Sequence, residues 1–100
     1  MAAKKSFQDI INSETPILLD FHATWCGPCK AMSPILQDLK NEMGDEAAIV
    51  KIDIDKNQKL ATAMEVRGVP TFMVYQKGKL LWRASGMVSK NDLKGALKVT

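Results

Sequence analysis

The stretch Ile17-Leu18-Leu19-Asp20-Phe21-His22-Ala23-Thr24-Trp25-Cys26-Gly27-Pro28-Cys29-Lys30 decides how this chain is read. Ile17 to His22 is a short, almost unbroken apolar run interrupted by Asp20, the pattern of a strand buried on both faces. The protein's two cysteines follow, separated by two residues. From Pro28 to about Met43, the apolar residues Met32, Ile35, Leu36, Leu39 and Met43 fall at helical spacings. A strand would deliver two thiols to the end of a sheet, and a helix would begin on top of them.

That placement suits thiol chemistry. A thiolate, not a thiol, attacks a disulfide. With Cys26 at a helix N-terminus, unpaired backbone N–H groups and the helix dipole stabilise its anion. A fall in pKa from about 8.5 to about 7 would raise the thiolate fraction at pH 7 roughly 15-fold, and lower intrinsic nucleophilicity would take back about 5-fold. Geometry contributes the rest, because Cys29, one turn on, is held ready to attack a mixed disulfide intramolecularly. Pro28 has no N–H and suits the first turn. Gly27 adds no side chain, leaving room for a substrate.

Three other uses of the pair compete. A structural disulfide closing so short a loop gains roughly 2 kcal/mol in chain-entropy terms, less than a longer loop would. A metal site would have Cys26, Cys29 and His22 as its ligands, and a closed zinc site wants four. Haem attachment needs a histidine where Lys30 stands.

Composition narrows the class. One hundred residues suggest one domain, spanning 1–100, and 46% hydrophobic residues are enough for a packed core. With 25% charged residues, disorder is not expected. The net charge of +3 is mild, and Lys4-Lys5 is the one basic cluster, so nucleic-acid binding is not indicated. No apolar run is long enough to span a membrane. The opening Met-Ala-Ala-Lys-Lys-Ser-Phe-Gln-Asp lacks the apolar core of a signal peptide, so two cysteines point to a reducing compartment, with cytoplasmic location the expectation.

Outward from the cysteines, Ser6 with Asp9 reads as a capping box, and Phe7, Ile10 and Ile11 form the apolar face of a short helix. Glu14-Thr15-Pro16 breaks it. Pro34 is expected to kink the long helix, and Gly44 to end it. Ala48 to Asp53 reads as a strand, with Val50, Ile52 and Ile54 on one face and Ile49 and Lys51 on the other. Asn57 to Glu65 is a helix with Leu60, Ala61 and Met64 inward, stopped by Arg67-Gly68-Val69-Pro70. Thr71 to Tyr75 and Leu80 to Ala84 are strands joined by a hairpin turn at Gln76-Lys77-Gly78-Lys79. Gly86 ends the last strand, and Ser89 with Asp92 caps a final helix carrying Leu93, Ala96, Leu97 and Val99. The order α-β-α-β-α-β-β-α predicts a right-handed βαβ unit plus an antiparallel hairpin. The expected fold is α/β, a four-stranded mixed sheet with helices on both faces.

Asp20-Phe21 ahead of Ala23-Thr24-Trp25-Cys26-Gly27-Pro28-Cys29-Lys30, then Pro34, Val50 to Asp55, Val66-Arg67-Gly68-Val69-Pro70-Thr71-Phe72, Gly78 and Gly86 together resemble the thioredoxin family. The resemblance runs from about Ile17 to the C-terminus and implies the thioredoxin fold. A lone Cys-x-x-Cys is weak, whereas Trp-Cys-Gly-Pro-Cys-Lys with Gly-x-Pro-Thr at this distance is specific.

The resemblance implies that Cys26 attacks a substrate disulfide, that Cys29 resolves the mixed disulfide, and that the Val69-Pro70 bond is cis. On that reading Cys26 is the exposed thiol and Cys29 the buried one. The Val69 backbone would pair with an extended substrate segment. Trp25, Gly27, Pro28, Gly68, Val69, Pro70, Gly86 and Met87 would form the surrounding contact surface. Met87 reads equally well as an ordinary exposed loop residue. Burial should raise the Asp20 pKa, with Lys51 on the neighbouring strand offsetting part of the rise. The family gives Asp20 the task of taking the Cys29 proton. It also implies no bound cofactor, no metal, a thioredoxin reductase as electron donor, disulfide-containing proteins as substrates, and a monomer.

Two departures stand out. Many members carry an N-terminal strand before the first helix, and here five residues precede Ser6, so that edge strand is expected to be short or absent. His22 stands where the family often has Trp, Tyr or Ser. It could tune Cys26, although a hydrogen-bonded structural histidine is the plainer reading. Two rival functions remain at this point. One is a disulfide oxidase or isomerase of the same fold, which the redox poise of the couple with glutathione would reveal. The other is a redox-inert binding module, against which Cys26, Cys29, Asp20 and Pro70 stand together.

Overall fold

The structure, a computed structural model, describes residues 6–98. Helix α1, Phe7–Ile11, opens on a complete capping box: Ser6 Oγ accepts the Asp9 N–H at 3.1 Å, and the Asp9 carboxylate accepts the Ser6 N–H at 3.2 Å. Strand β1, Ile17–His22, leads into helix α2, Gly27–Met43. Helix α2 continues through Pro34 and passes at Gly44–Glu46 into a 3-10 turn that the periodicity did not signal. Strand β2 is Ala48–Asp53, helix α3 is Gln58–Ala63, strands β3 and β4 are Thr71–Gln76 and Lys79–Ser85, and helix α4 is Lys90–Lys98. Val99, assigned to that helix from sequence, lies outside the described residues.

The sheet order is β2-β1-β3-β4. Strands β1 and β2 run parallel, with α2 between them in sequence, and β3 is antiparallel to both β1 and β4. β1 and β3 are therefore central, which explains their nearly continuous burial. Side-chain alternation sorts the core into two layers. Leu18, Phe72 and Val74 pack on one face with Met32, Leu36, Leu39 and Met43 of α2 and with Leu93, Ala96 and Leu97 of α4. Leu19, Phe21, Met73 and Tyr75 pack on the other with Ile11 of α1, and Leu60 and Met64 lie against that layer. Because Asp20 shares the parity of Leu18, it faces the α2 side, and its register partner on β2 is Lys51.

Element boundaries moved where backbone geometry overrode pattern. Helix α3 stops two residues short of the expected Glu65, because Glu65 has φ of +56°, outside the helical region. Strand β4 extends one residue beyond Leu80–Ala84 at each end, and β3 extends to Gln76. Val74 pairs with Trp82 but Tyr75 with Leu80, so Leu81 is an extra, bulged residue.

The β3–β4 turn has Lys77 and Gly78 at φ +52° and +80°, the pattern of a two-residue hairpin loop. Its tip is tied to the end of α1: the Lys77 N–H donates to the Ser13 carbonyl at 2.9 Å and the Gly78 N–H to the Ile11 carbonyl at 2.8 Å. A Cβ on Gly78 would lie 2.6 Å from Asn12 Oδ1, a contact that the Asn12 side chain can relieve by rotating. The left-handed backbone cannot be relieved in that way. Gly78→Ala should therefore lower stability by about 1–2 kcal/mol in urea melts. Most of the loss should persist in an Asn12→Ala background, and wild-type stability in the single variant would contradict the assignment.

Candidate active site

Strand β1 ends beside the N-terminus of α2, where a short loop, Ala23 to Trp25, turns the chain into the helix. Cys26 is the N-cap of α2, with extended backbone (φ −90°, ψ 112°). Its Sγ accepts the Cys29 N–H at 3.1 Å, the position that a Ser or Asp oxygen commonly takes at a helix start. Pro28 sits in the first turn and gives up no hydrogen bond there. Cys26 and Cys29 are joined by a disulfide.

The expected contrast between an exposed Cys26 and a buried Cys29 is absent: the two are 4% and 9% exposed. The reason is the loop before β3. The Val69 carbonyl oxygen lies 3.7 Å from Cys26 Sγ, and Ala23, Ile54 and Val69 pack around the pair. A disulfide sulfur has no proton to donate, so the Val69 approach is a van der Waals cover. What distinguishes Cys26 from Cys29 is its capping position at the start of a 17-residue helix.

The Val69-Pro70 peptide bond is cis, and Pro70 is fully buried. Hydrogen bonds fix this loop from the β3–β4 side. The Gly86 N–H donates to the Pro70 carbonyl at 2.8 Å, and the fully buried Thr71 hydroxyl donates to the Gly68 carbonyl at 2.7 Å. With its proton so placed, Thr71 accepts from Ser85 Oγ at 3.1 Å. Gly68, Val69, Pro70 and Gly86 are thus brought together, with Val69 against the cysteine pair. Gly27 and Pro28 are exposed in the first turn of α2. Trp25 and Met87 are 66% and 57% exposed, large apolar groups left on the surface. The Trp25 indole N–H donates to Asp55 Oδ2 at 2.9 Å, which holds the ring in one orientation.

Behind the disulfide lies a cavity of about 310 Å³ lined by Asp20, His22, Cys29, Lys30, Ser33 and Lys51, among others. Asp20 is buried there. Burial pushes its carboxyl above the ordinary carboxylate value, and the charges of His22 and Lys51 pull it part of the way back. His22 thus shares a cavity with Asp20 and lowers its carboxyl pKa. Lys51 is exposed at the rim. Among the described residues no group of three or more His, Cys, Asp or Glu is arranged to hold a metal ion. Asp55, Thr71 and Ser85 were missed in the sequence. A Thr next to the Pro70 motif was the one available signal, because Trp25–Asp55 and Thr71–Ser85 are contacts between residues 30 and 14 positions apart.

The family model described as Thioredoxin matches residues 1–99. The chain is similar to chloroplastic thioredoxin Y2 of Arabidopsis thaliana, 44% identical over 92% of this chain and 58% of that protein. It is also similar to the thioredoxin of Bacillus subtilis, 41% identical over 93% of this chain and 92% of that one. The chain spans little more than half the length of the plant relatives it matches. Among solved structures, a mutant thioredoxin from Halobacterium salinarum superposes with a TM-score of 0.81 at 37% identity, covering 90% of this chain and 79% of that one. With a specific motif, a matching fold and a family match along almost its whole length, the chain belongs to the thioredoxin family.

Proposed function

We propose that the protein is a dithiol–disulfide oxidoreductase that reduces disulfides in other proteins and is re-reduced by a thioredoxin reductase. The observation that carries this reading is Cys26 Sγ accepting the Cys29 N–H at the start of α2, with Cys29 one turn away and bonded to it. After reduction the same N–H and the helix dipole favour a thiolate on Cys26. That thiolate attacks one sulfur of a substrate disulfide. The substrate S–S bond breaks, its other sulfur leaves with the electron pair and is protonated from water, and Cys26 carries a mixed disulfide. Asp20 then takes the Cys29 proton across the cavity they share, which has room for a relaying water. The Cys29 thiolate attacks Cys26 Sγ, the second substrate thiolate leaves and takes up a proton, and the Cys26–Cys29 disulfide closes. Two electrons and two protons pass from the dithiol to the substrate.

On this reading Trp25, Gly27, Pro28, Gly68, Val69, Gly86 and Met87 form the substrate surface, with the Val69 backbone pairing with an extended substrate segment. His22 and, after it, Lys51 at the rim offset part of the burial cost and so favour the ionised Asp20 that accepts the proton. The Cys26–Cys29 pair is the redox group, with no bound cofactor. The protein acts as a monomer in a reducing compartment, the cytoplasm, where its disulfide is transient.

Cys29→Ser should trap stable mixed disulfides with protein substrates through Cys26, visible on non-reducing gels and mapped by mass spectrometry. Trapping by Cys26→Ser through Cys29 instead would reverse the assignment.

Asp20 gives a pH test. Its folded pKa lies above its unfolded one, so between the two the native state holds more protons and stability falls as pH rises. The penalty is complete above the folded pKa and absent below the unfolded one. Asp20→Asn should therefore be more resistant to denaturant than wild type at pH 8, with the gap closing in acid. It should also resolve mixed disulfides about 100-fold more slowly, the low end of general-base catalysis. An Asn variant that lost stability at pH 8, or kept full activity, would remove Asp20 from this role.

A further inference from the structure

The loop that covers Cys26 is gripped at two places, by β4 and by Gly86, the residue that follows it. One is at its far end, where Gly86 and Ser85 reach Pro70 and Thr71. The other is at its beginning. The Arg83 guanidinium donates through Nη1 to the Met64 carbonyl and through Nη2 to the Glu65 carbonyl, both at 2.7 Å. Arg83 pairs with Met73 in the sheet, so its side chain leaves on the face that carries α3. The two carbonyls lie just past α3, a helix of six residues, where carbonyls have no intrahelical partners. Glu65 is held there at positive φ, a conformation an ordinary residue keeps only when its surroundings impose it.

Between the grips run Val66, Arg67, Gly68 and Val69, none of them fully buried. Val66 and Val69 pack in part against the α3-side layer and the cysteine pair, the Val66 N–H donates to the Ala61 carbonyl, and the Thr71 hydroxyl holds Gly68. The Arg83 fork adds to these as the side-chain anchor at the start of the loop. We infer that Arg83 is a positioning residue for substrate recognition: its fork on the Met64 and Glu65 carbonyls sets the loop that presents the Val69 backbone to a substrate chain. A guanidinium suits the task because two donors in a fixed plane reach two neighbouring carbonyls at once. This inference rests on the dithiol reading above, because it assigns Val69 the substrate-pairing edge.

The test compares two disulfides with dithiothreitol as reductant. Insulin chains must pair with the Val69 backbone, whereas hydroxyethyl disulfide has no backbone to pair. In Arg83→Met the KM for insulin should rise about tenfold with kcat within about twofold, since a misplaced anchor weakens docking rather than chemistry. Reduction of hydroxyethyl disulfide should be unchanged. A protein that was merely loosened would lose rate on both. Should Arg83→Met fail to fold, Arg83→Lys, which keeps the cation but not the planar fork, gives the same comparison. Equal losses on both disulfides, or none on insulin, would overturn the inference. If wild type reduced neither disulfide, the dithiol reading itself would fail, and the two failures are thereby told apart.

Discussion

A sulfur caps a helix, and the rest of the structure serves that contact. The Cys26 Sγ that accepts the Cys29 N–H occupies the one place where a thiolate gains both a hydrogen bond and the favourable end of an aligned row of peptide dipoles. The position requires a strand that stops at His22, a loop short enough to put Cys26 at the cap, and a helix long enough to carry a dipole. It also requires a rigid frame, because attack by Cys29 depends on holding two sulfurs one turn apart. The frame is a sheet whose two central strands are buried on both faces, with α2 and α4 packed on one side and α1 and α3 on the other.

Asp20 works against that stability. A carboxylate on the face of a central strand loses its water, and the folded protein carries the cost as a raised pKa. The cavity shared with Cys29 and the positive charges beside it keep the cost bearable without abolishing it. A buried acid near a resolving thiol is a proton acceptor whose affinity lies nearer neutrality than that of an exposed Asp. Stability and reactivity are set by the same burial, so a change at Asp20 must move them in opposite directions.

Much of this was legible in the sequence. The run Ile17 to His22, the helical spacing from Met32 to Met43 and the Lys77-Gly78 turn each combine local propensity with a clear hydrophobic period, and the structure follows them closely. The apolar run around Asp20, read as a strand buried on both faces, was enough to expect its burial. What escaped depended on distance in the chain or on backbone shape. Arg83 reads as one more solvated cation on an edge strand until Met64 and Glu65 are seen in front of it. The positive φ of Glu65, which shortens α3, has no glycine or asparagine to announce it. Burial of Cys26 was missed because its cover comes from Val69, far along the chain. The resemblance set Val69 in the surface around the thiols, but nothing in the sequence showed its carbonyl closing over Cys26.

The central claim is that the capping position, rather than exposure, makes Cys26 the nucleophile. It is tested most directly by the pH dependence of alkylation at each cysteine of the reduced protein, followed by mass spectrometry. The account predicts that Cys26 reacts first, with a midpoint below the value of about 8.5 for an ordinary thiol. A Cys26 midpoint at or above that value, or a Cys29 that titrates before it, would contradict the account.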